Sequence, residues 1–251
     1  MNDAVLRVAG LSKAFHGVEA VHDVSFVVAA RELVALIGPN GAGKTTCFNL
    51  VNGQLAPDAG TVTLLDVRID GLPPRTIARM GVGRTFQVAA TFASMTVREN
   101  VQLALLAHAG IQRSVAMRAT DGMRTEADAL LERVRMTQFA EQGCATLAYG
   151  DAKRVELALA LAGKPRLLLM DEPTAGMSPR SRSRLMQLAA DLAREESIAV
   201  LFTEHDMDVV FGHADRIIVL DRGRIIAKGA PNAIRADARV QAVYLGEDEV
   251  A

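Results

Sequence analysis

Hydrophobic and polar positions along this chain switch between two periods. Near the start, Val5-Leu6-Arg7-Val8 and Val24-Ser25-Phe26-Val27-Val28 carry the apolar alternation of short strands. Leu33-Val34-Ala35-Leu36-Ile37 is apolar without a break, and residues 46–51 suit a helix. Thr61-Val62-Thr63-Leu64-Leu65 predicts another strand, ended by the turn around Asp70-Gly71. Residues 82–86 read as a strand leaving a short helix that starts near Pro73-Pro74.

From about residue 88 to residue 161 the pattern is mostly helical. Thr96-Val97-Arg98-Glu99 is a capping-box pattern ahead of an apolar helix over residues 101–107. Ala127, Leu130, Leu131 and Val134 make an i, i+3, i+4, i+7 stripe. Residues 151–162 are rich in Ala and Leu and stop at Gly163 and Pro165. Strand and helix then alternate again. Leu167-Leu168-Leu169-Met170 is a continuous apolar strand of the kind buried on both faces. Ser178-Pro179 suits an N-cap and first helical residue, with Leu185, Leu188, Ala189 and Leu192 as the buried stripe that follows. Residues 198–202 and 217–220 are strands, and Arg222-Gly223 turns the chain into residues 224–227. The pattern predicts one α/β domain carrying a helical insertion, with no internal repeat or low-complexity linker.

Composition narrows the picture. The 251 residues fit one large domain or two small ones, and 50% hydrophobic residues supply a substantial core. A net charge of -1 gives no sign of a nucleic-acid-binding surface. Arg113, Arg118, Arg124, Arg133 and Arg135 are interleaved with acids and read as a solvated face, as does the Arg180, Arg182, Arg184 run. Cys47 and Cys144 lie in no metal-type spacing, so two free thiols in a reducing cytoplasm are expected. The first residues lack a signal-peptide pattern, and no apolar run approaches the ~18 residues of a membrane span. Work at a membrane would proceed from its cytoplasmic side, through a partner.

One stretch carries chemistry. Gly38-Pro39-Asn40-Gly41-Ala42-Gly43-Lys44-Thr45-Thr46 fits G-x-x-x-x-G-K-[ST] between the apolar strand and the helix that the motif requires. Its glycines let backbone N–H groups turn inward on phosphates. Lys44 would reach the β- and γ-phosphates, and the Thr45 hydroxyl would ligate Mg²⁺. Such a loop needs a magnesium-coordinating acid at the end of another buried strand, and Asp171 stands there, followed by Glu172. Asp171 would hold Mg²⁺, directly or through water. Glu172 would orient or deprotonate the attacking water. An Asp-Glu pair after an apolar run can also be a strand end meeting solvent; the phosphate loop favours the catalytic reading.

Together these residues resemble the ATP-binding subunit of an ABC transporter. Gln87 in Gly83-Arg84-Thr85-Phe86-Gln87 matches the glutamine loop, and Leu147-Ala148-Tyr149-Gly150-Asp151 matches the family signature. Ala175-Gly176-Met177-Ser178 matches the D-loop, His205 the switch histidine, and Phe15 the aromatic that stacks on adenine. The motifs occur in the family's order over nearly the whole chain. Gly81 to Gln87, Tyr149, Glu204-His205-Asp206-Met207 and Ala242-Val243-Tyr244-Leu245-Gly246 are most similar to ATPase subunits of branched-chain (hydrophobic) amino-acid uptake systems.

The resemblance implies an α/β P-loop NTPase core with a mixed sheet, an N-terminal antiparallel β-subdomain and an inserted helical subdomain. Residues 1–251 would form one nucleotide-binding domain, with the insertion at 88–163. It implies ATP hydrolysis coupled to import of branched-chain amino acids or related small solutes. Gln87 would touch Mg²⁺ or water, and His205 would bond the γ-phosphate and the attacking water, with Lys44 and Glu172 completing the catalytic set. Without the resemblance, Phe15 reads as a core aromatic, Gln87 as a polar strand end and His205 as a structural histidine. Expected partners are a second ATPase subunit, two permeases and an extracytoplasmic binding protein. The expected place is the cytoplasmic face of the membrane, held peripherally.

The chain departs from the family at Ala148, where serine is usual, at Asp151, where glutamine is usual, and at Ser178, where the D-loop has aspartate. In the family the signature acts on the ATP of the opposite subunit. These uptake systems usually pair two different ATPase subunits, with a homodimer as the alternative; in the heterodimer the altered half implies two unequal sites. In a milder reading Asp151 favours its own helix dipole and caps it. The altered signature also raises the alternative of a nucleotide-gated regulatory or scaffold subunit with little hydrolysis.

Overall fold

Two sheets and the helices between and around them carry the fold; the computed structural model describes residues 4–85, 91–110 and 123–245. In chain order come β1 (Ala4–Phe15), β2 (Val18–Ala29), β3 (Leu33–Ile37), α1 (Lys44–Val51), β4 (Ala59–Leu64) and β5 (Val67–Arg68). Then follow α2 (Pro74–Arg79), β6 (Val82–Thr85), α3 (Val97–His108), α4 (Arg124–Arg133) and α5 (Tyr149–Leu161). The last third adds β7 (Leu167–Asp171), α6 (Pro179–Glu196), β8 (Ala199–Thr203), α7 (Met207–His213), β9 (Arg216–Asp221), β10 (Arg224–Gly229), α8 (Pro231–Arg235) and α9 (Ala238–Leu245).

The antiparallel sheet has the order β2-β1-β4-β5, and the larger sheet the order β10-β9-β3-β8-β7-β6. In the larger sheet β9, β3, β8, β7 and β6 are parallel, and β10 joins β9 antiparallel. The unbroken apolar runs are needed because both faces of these strands are covered. Leu33, Ala35, Ile37, Leu168 and Met170 belong to the core shared with α3–α6. Val34, Leu36, Leu167 and Leu169 alternate with them into a second core, shared with α1 and the antiparallel sheet.

Between β6 and β7 the chain is helical. Thr96 is the N-cap of α3: its hydroxyl accepts from Glu99 N at 3.2 Å, and Glu99 Oε2 accepts from Thr96 N at 2.7 Å. The capping box starts the helix at Val97, four residues before the apolar run alone suggests. Ala127, Leu130, Leu131 and Val134 are buried, as their spacing predicts. Arg98 bonds Asp128 at 2.6 Å and ties α3 to α4.

Several expectations change. β1 and β2 are longer than their alternating cores, because register shifts such as that between Val8 and Leu11 let pairing continue where alternation breaks. The short helices α7, α8 and α9 are additions to the sequence pattern; at 7, 5 and 8 residues they make about two turns or fewer, too few for an apolar stripe to repeat. Arg133 pairs with Glu196 and Arg135 lies 3.7 Å from Asp191, so these arginines tie α4 and the turn after it to α6 rather than only facing water. Arg113, Arg118, Phe86 and Gly246 lie outside the described residues.

Thr96→Ala removes the cap and is expected to lower stability by about 1 kcal/mol, read as a lower urea midpoint at unchanged slope. Cys47 is buried, and burial pushes its thiol up to about 12; Cys144 is buried and shifted the same way. Both thiols are expected to resist maleimide in the native protein at pH 7 and to label fully in denaturant, as mass spectrometry would read.

Candidate functional site

The phosphate-loop motif lies between β3 and α1, and its backbone is shaped by glycine. Gly38 has φ 152°, and a Cβ there would sit 2.1 Å from Leu220 O. Gly43, the N-cap of α1, has φ 99°, and a Cβ would meet Ala20 O at 2.3 Å. Only glycine satisfies both the dihedral and the space. Lys44 Nζ donates to Gly38 O at 2.6 Å and Pro39 O at 2.9 Å, so the ammonium lies inside its own loop. No side chain caps α1, and its positive end opens on the loop formed by Pro39, Asn40, Gly41 and Ala42, with Thr45 and Thr46 in the first turn.

Three parallel neighbours bring the rest to the same edge. β3 pairs with β8, and β8 with β7, with Asp171 opposite Thr203. Thr203 Oγ1 donates to Asp171 Oδ1 at 2.8 Å and accepts from Glu172 N at 3.0 Å. One hydroxyl thus fixes both acids. Glu172 adopts φ 46°, a left-handed turn that takes the chain off the strand. Its Oε1 lies 2.8 Å from His205 Nε2. Both side chains are partly exposed, so the pair is open to solvent and to a substrate. Glu204 is buried beside them, and its Oε1 accepts from Thr174 N at 2.8 Å and Thr174 Oγ1 at 2.7 Å. That carboxylate pins the loop after β7 to the loop after β8.

Asp171 has a second partner. Arg84 Nη2 is 3.3 Å from Asp171 Oδ2, while Arg84 Nη1 donates to Asn49 Oδ1 at 3.1 Å and Gln54 Oε1 at 3.0 Å. Burial pulls the guanidinium below its usual range, and the Asp171 charge opposes that shift.

The residues that match the signature stand elsewhere. Leu147 precedes α5, Ala148 is its N-cap, and Tyr149, Gly150 and Asp151 form its first turn. Ala148 provides no side-chain cap, and Asp151 does not replace it, lying 3.5 Å from Arg154 instead. The first-turn position still suits the helix dipole. The signature abuts the D-loop: a Cβ at Gly150 would lie 3.4 Å from Met177 Cε, and one at Gly176 3.7 Å from the Tyr149 ring. Ser178 is the N-cap by backbone shape, but its hydroxyl turns to Ser181 Oγ at 3.0 Å. Arg182, expected to be solvated, donates to Met177 O at 2.7 Å and pairs with Asp206, the N-cap of α7. It joins the D-loop to the turn that holds His205. Phe15 ends β1 and is 39% exposed, which removes the core-aromatic reading. Gln87 lies outside the described residues.

Sequence reasoning missed Thr203, Glu204, Thr174 and Arg84 as parts of this site. Thr203 carried a usable signal, a polar residue closing an apolar strand two positions before His205. Arg84 carried another, a charge inside a strand, which demands a partner when buried. Among the described residues no three His, Cys, Asp or Glu side chains gather as a self-sufficient metal site. A single carboxylate beside a phosphate loop suits Mg²⁺, which takes few protein oxygens and completes its shell with water and substrate phosphates.

Known proteins are similar to this chain over nearly its full length. The chain is 41% identical to the high-affinity branched-chain amino acid transport ATP-binding protein LivG of Salmonella typhimurium, covering 98% of this chain and 100% of that protein. It is also 41% identical, at the same coverage, to the high-affinity branched-chain amino acid transport ATP-binding protein BraF of Pseudomonas aeruginosa. A crystal structure of the ADP conformation of an ATP-binding cassette of an ABC transporter superposes with a TM-score of 0.87 at 28% identity, over 97% of this chain and 99% of that one. Residues 224–250 match the family described as branched-chain amino acid ATP-binding cassette transporter. Residues 21–175 match the ABC transporter family. The chain therefore belongs to the ABC transporter family, as one of the ATP-binding cassettes that hydrolyse ATP.

Proposed function

We propose that this cassette powers a solute importer, and that its own phosphate loop holds the ATP that it hydrolyses. The cargo class is branched-chain amino acids or related small polar or hydrophobic solutes. The relatives' names and the match over residues 224–250 support that class. The observation that carries the chemistry is the Glu172–His205 contact at 2.8 Å, beside Asp171 at the edge where the phosphate loop begins.

Phe15 stacks on adenine, and the backbone of residues 38–46 cradles the phosphates while Lys44 exchanges its loop carbonyls for β- and γ-oxygens. Asp171 and Thr45 hold Mg²⁺, with Gln87 as a further oxygen donor. When bound, Mg²⁺ neutralises charge that develops on the phosphate oxygens. Glu172 takes up or orients the water proton, and His205 holds the Glu172 carboxylate in place while it bonds the γ-phosphate. Water attacks the γ-phosphorus in line as the bond to the β–γ bridging oxygen breaks and ADP leaves, and the proton that Glu172 takes from the water is returned to the inorganic phosphate.

Residues 88–163 form the inserted, signature-bearing subdomain of a single domain spanning 1–251. Residues 147–151 act on ATP held by a second ATPase subunit. Two permeases dock from the membrane, and an extracytoplasmic binding protein selects cargo for the complex. A groove of about 310 Å³ between α2, β6 and α5, lined by Pro74, Ile77, Val82, Leu159 and Pro165, supports a permease contact. The chain attaches peripherally at the cytoplasmic face, and no helix among the described residues is long and apolar enough to cross a membrane. The regulatory alternative is not favoured, since the relatives are named as transport ATP-binding proteins and the Glu172–His205 pair is intact.

Glu172→Gln in the assembled transporter is expected to lower ATP turnover by about 10²- to 10⁴-fold while ATP still binds; unaltered turnover would show that this site is not the engine. Restoring the signature with Ala148→Ser and Asp151→Gln should raise turnover at the site that the partner's phosphate loop forms. The recovered hydrogen bond to a charged group is worth about 1.5–3 kcal/mol. Site-resolved turnover with one ATPase inactivated measures it, and no gain there would sink the idea of unequal sites.

A further inference from the structure

Arg84 touches the nucleotide site and the groove at once. It sits on β6 opposite Leu169 of β7, and its guanidinium spans from Asp171 to Asn49 and Gln54. Arg84 and Gln54 also line the groove beside α2 and α5. Neither oxygen of Asp171 is idle: Oδ1 accepts from Thr203 at 2.8 Å, and Oδ2 faces Arg84 at 3.3 Å. A cation that draws on this carboxylate competes with a guanidinium already there.

The contact is built to exchange. At 3.3 Å through one nitrogen it is longer than a tight ion pair and lacks the two-point fork that makes arginine–carboxylate pairs strong. The other terminal nitrogen is anchored on two neutral amide oxygens. Releasing Asp171 therefore does not leave the guanidinium without acceptors in a half-buried site.

We propose that Arg84 is a positioning residue that neutralises Asp171 until Mg²⁺ arrives with nucleotide, then yields the carboxylate and keeps its hold on Asn49 and Gln54. This rests on the assignment of Asp171 to Mg²⁺ made above.

The test measures binding of a fluorescent, non-hydrolysable ATP analogue to the full chain while MgCl₂ is titrated, and again in EDTA. Arg84→Met should lower the Mg²⁺ midpoint roughly three- to tenfold by removing the competing charge. Binding in EDTA should not change, and Arg84→Lys should stay near the wild type. Asn49→Ala with Gln54→Ala should raise the midpoint, because the guanidinium then rests more fully on Asp171. A midpoint that Arg84→Met leaves unchanged or raises, or an equal change in EDTA, overturns the proposal. If thermal melting shows that Arg84→Met does not fold, the Asn49 and Gln54 double variant decides, and an unmoved midpoint there overturns it. Asp171→Asn separates the two layers. If it fails to shift the Mg²⁺ midpoint, the assignment of Asp171 fails and takes the proposal with it. If it shifts the midpoint while Arg84→Met does not, only the role of Arg84 fails.

Discussion

Backbone pairing between β3, β8 and β7 runs in parallel, with Ala35 opposite Phe202 and Asp171 opposite Thr203. Three segments far apart in the chain consequently end at one edge. That register delivers the phosphate loop, the acid pair and His205 to a common place, in the crevice where parallel sheets bind ligands. It holds because both faces of the strands are covered, so slipping one strand by a residue would turn its apolar side chains into the wrong core. The sites on this edge inherit their precision from packing that lies entirely behind it.

Much of this was readable in the sequence, for a physical reason. A phosphate loop is a local object: its glycines, lysine and threonine act through nearby backbone, so its spacing together with the flanking strand and helix identifies it. Asp171 and Glu172 follow an apolar strand, and His205 follows another, so their placement needs only the parallel-sheet rule. Thr203 and Arg84 were not legible as site residues because their meaning is non-local. Thr203 meets Asp171 and Arg84 meets Asp171 only after distant strands pair. The antiparallel sheet was underestimated for a similar reason: pairing, not alternation, sets where β1 and β2 end.

The altered signature also looks different beside its neighbours. Asp151 is a first-turn acid paired with Arg154, an arrangement that serves α5 itself. The D-loop without its usual aspartate is nevertheless braced, because Arg182 links Met177 O to the N-cap of α7. Two of the departures from the family pattern thus have local partners, Asp151 in Arg154 and Ser178 in Ser181, while Ala148 leaves α5 without a side-chain cap.

The ammonium of Lys44 has a consequence for the economy of the catalytic cycle. Because Gly38 O and Pro39 O already solvate it, the phosphate contact proposed for Lys44 would be an exchange of acceptors rather than the relief of a bare charge. A motor that must empty itself every cycle is served by a loop that holds its own cation between strokes.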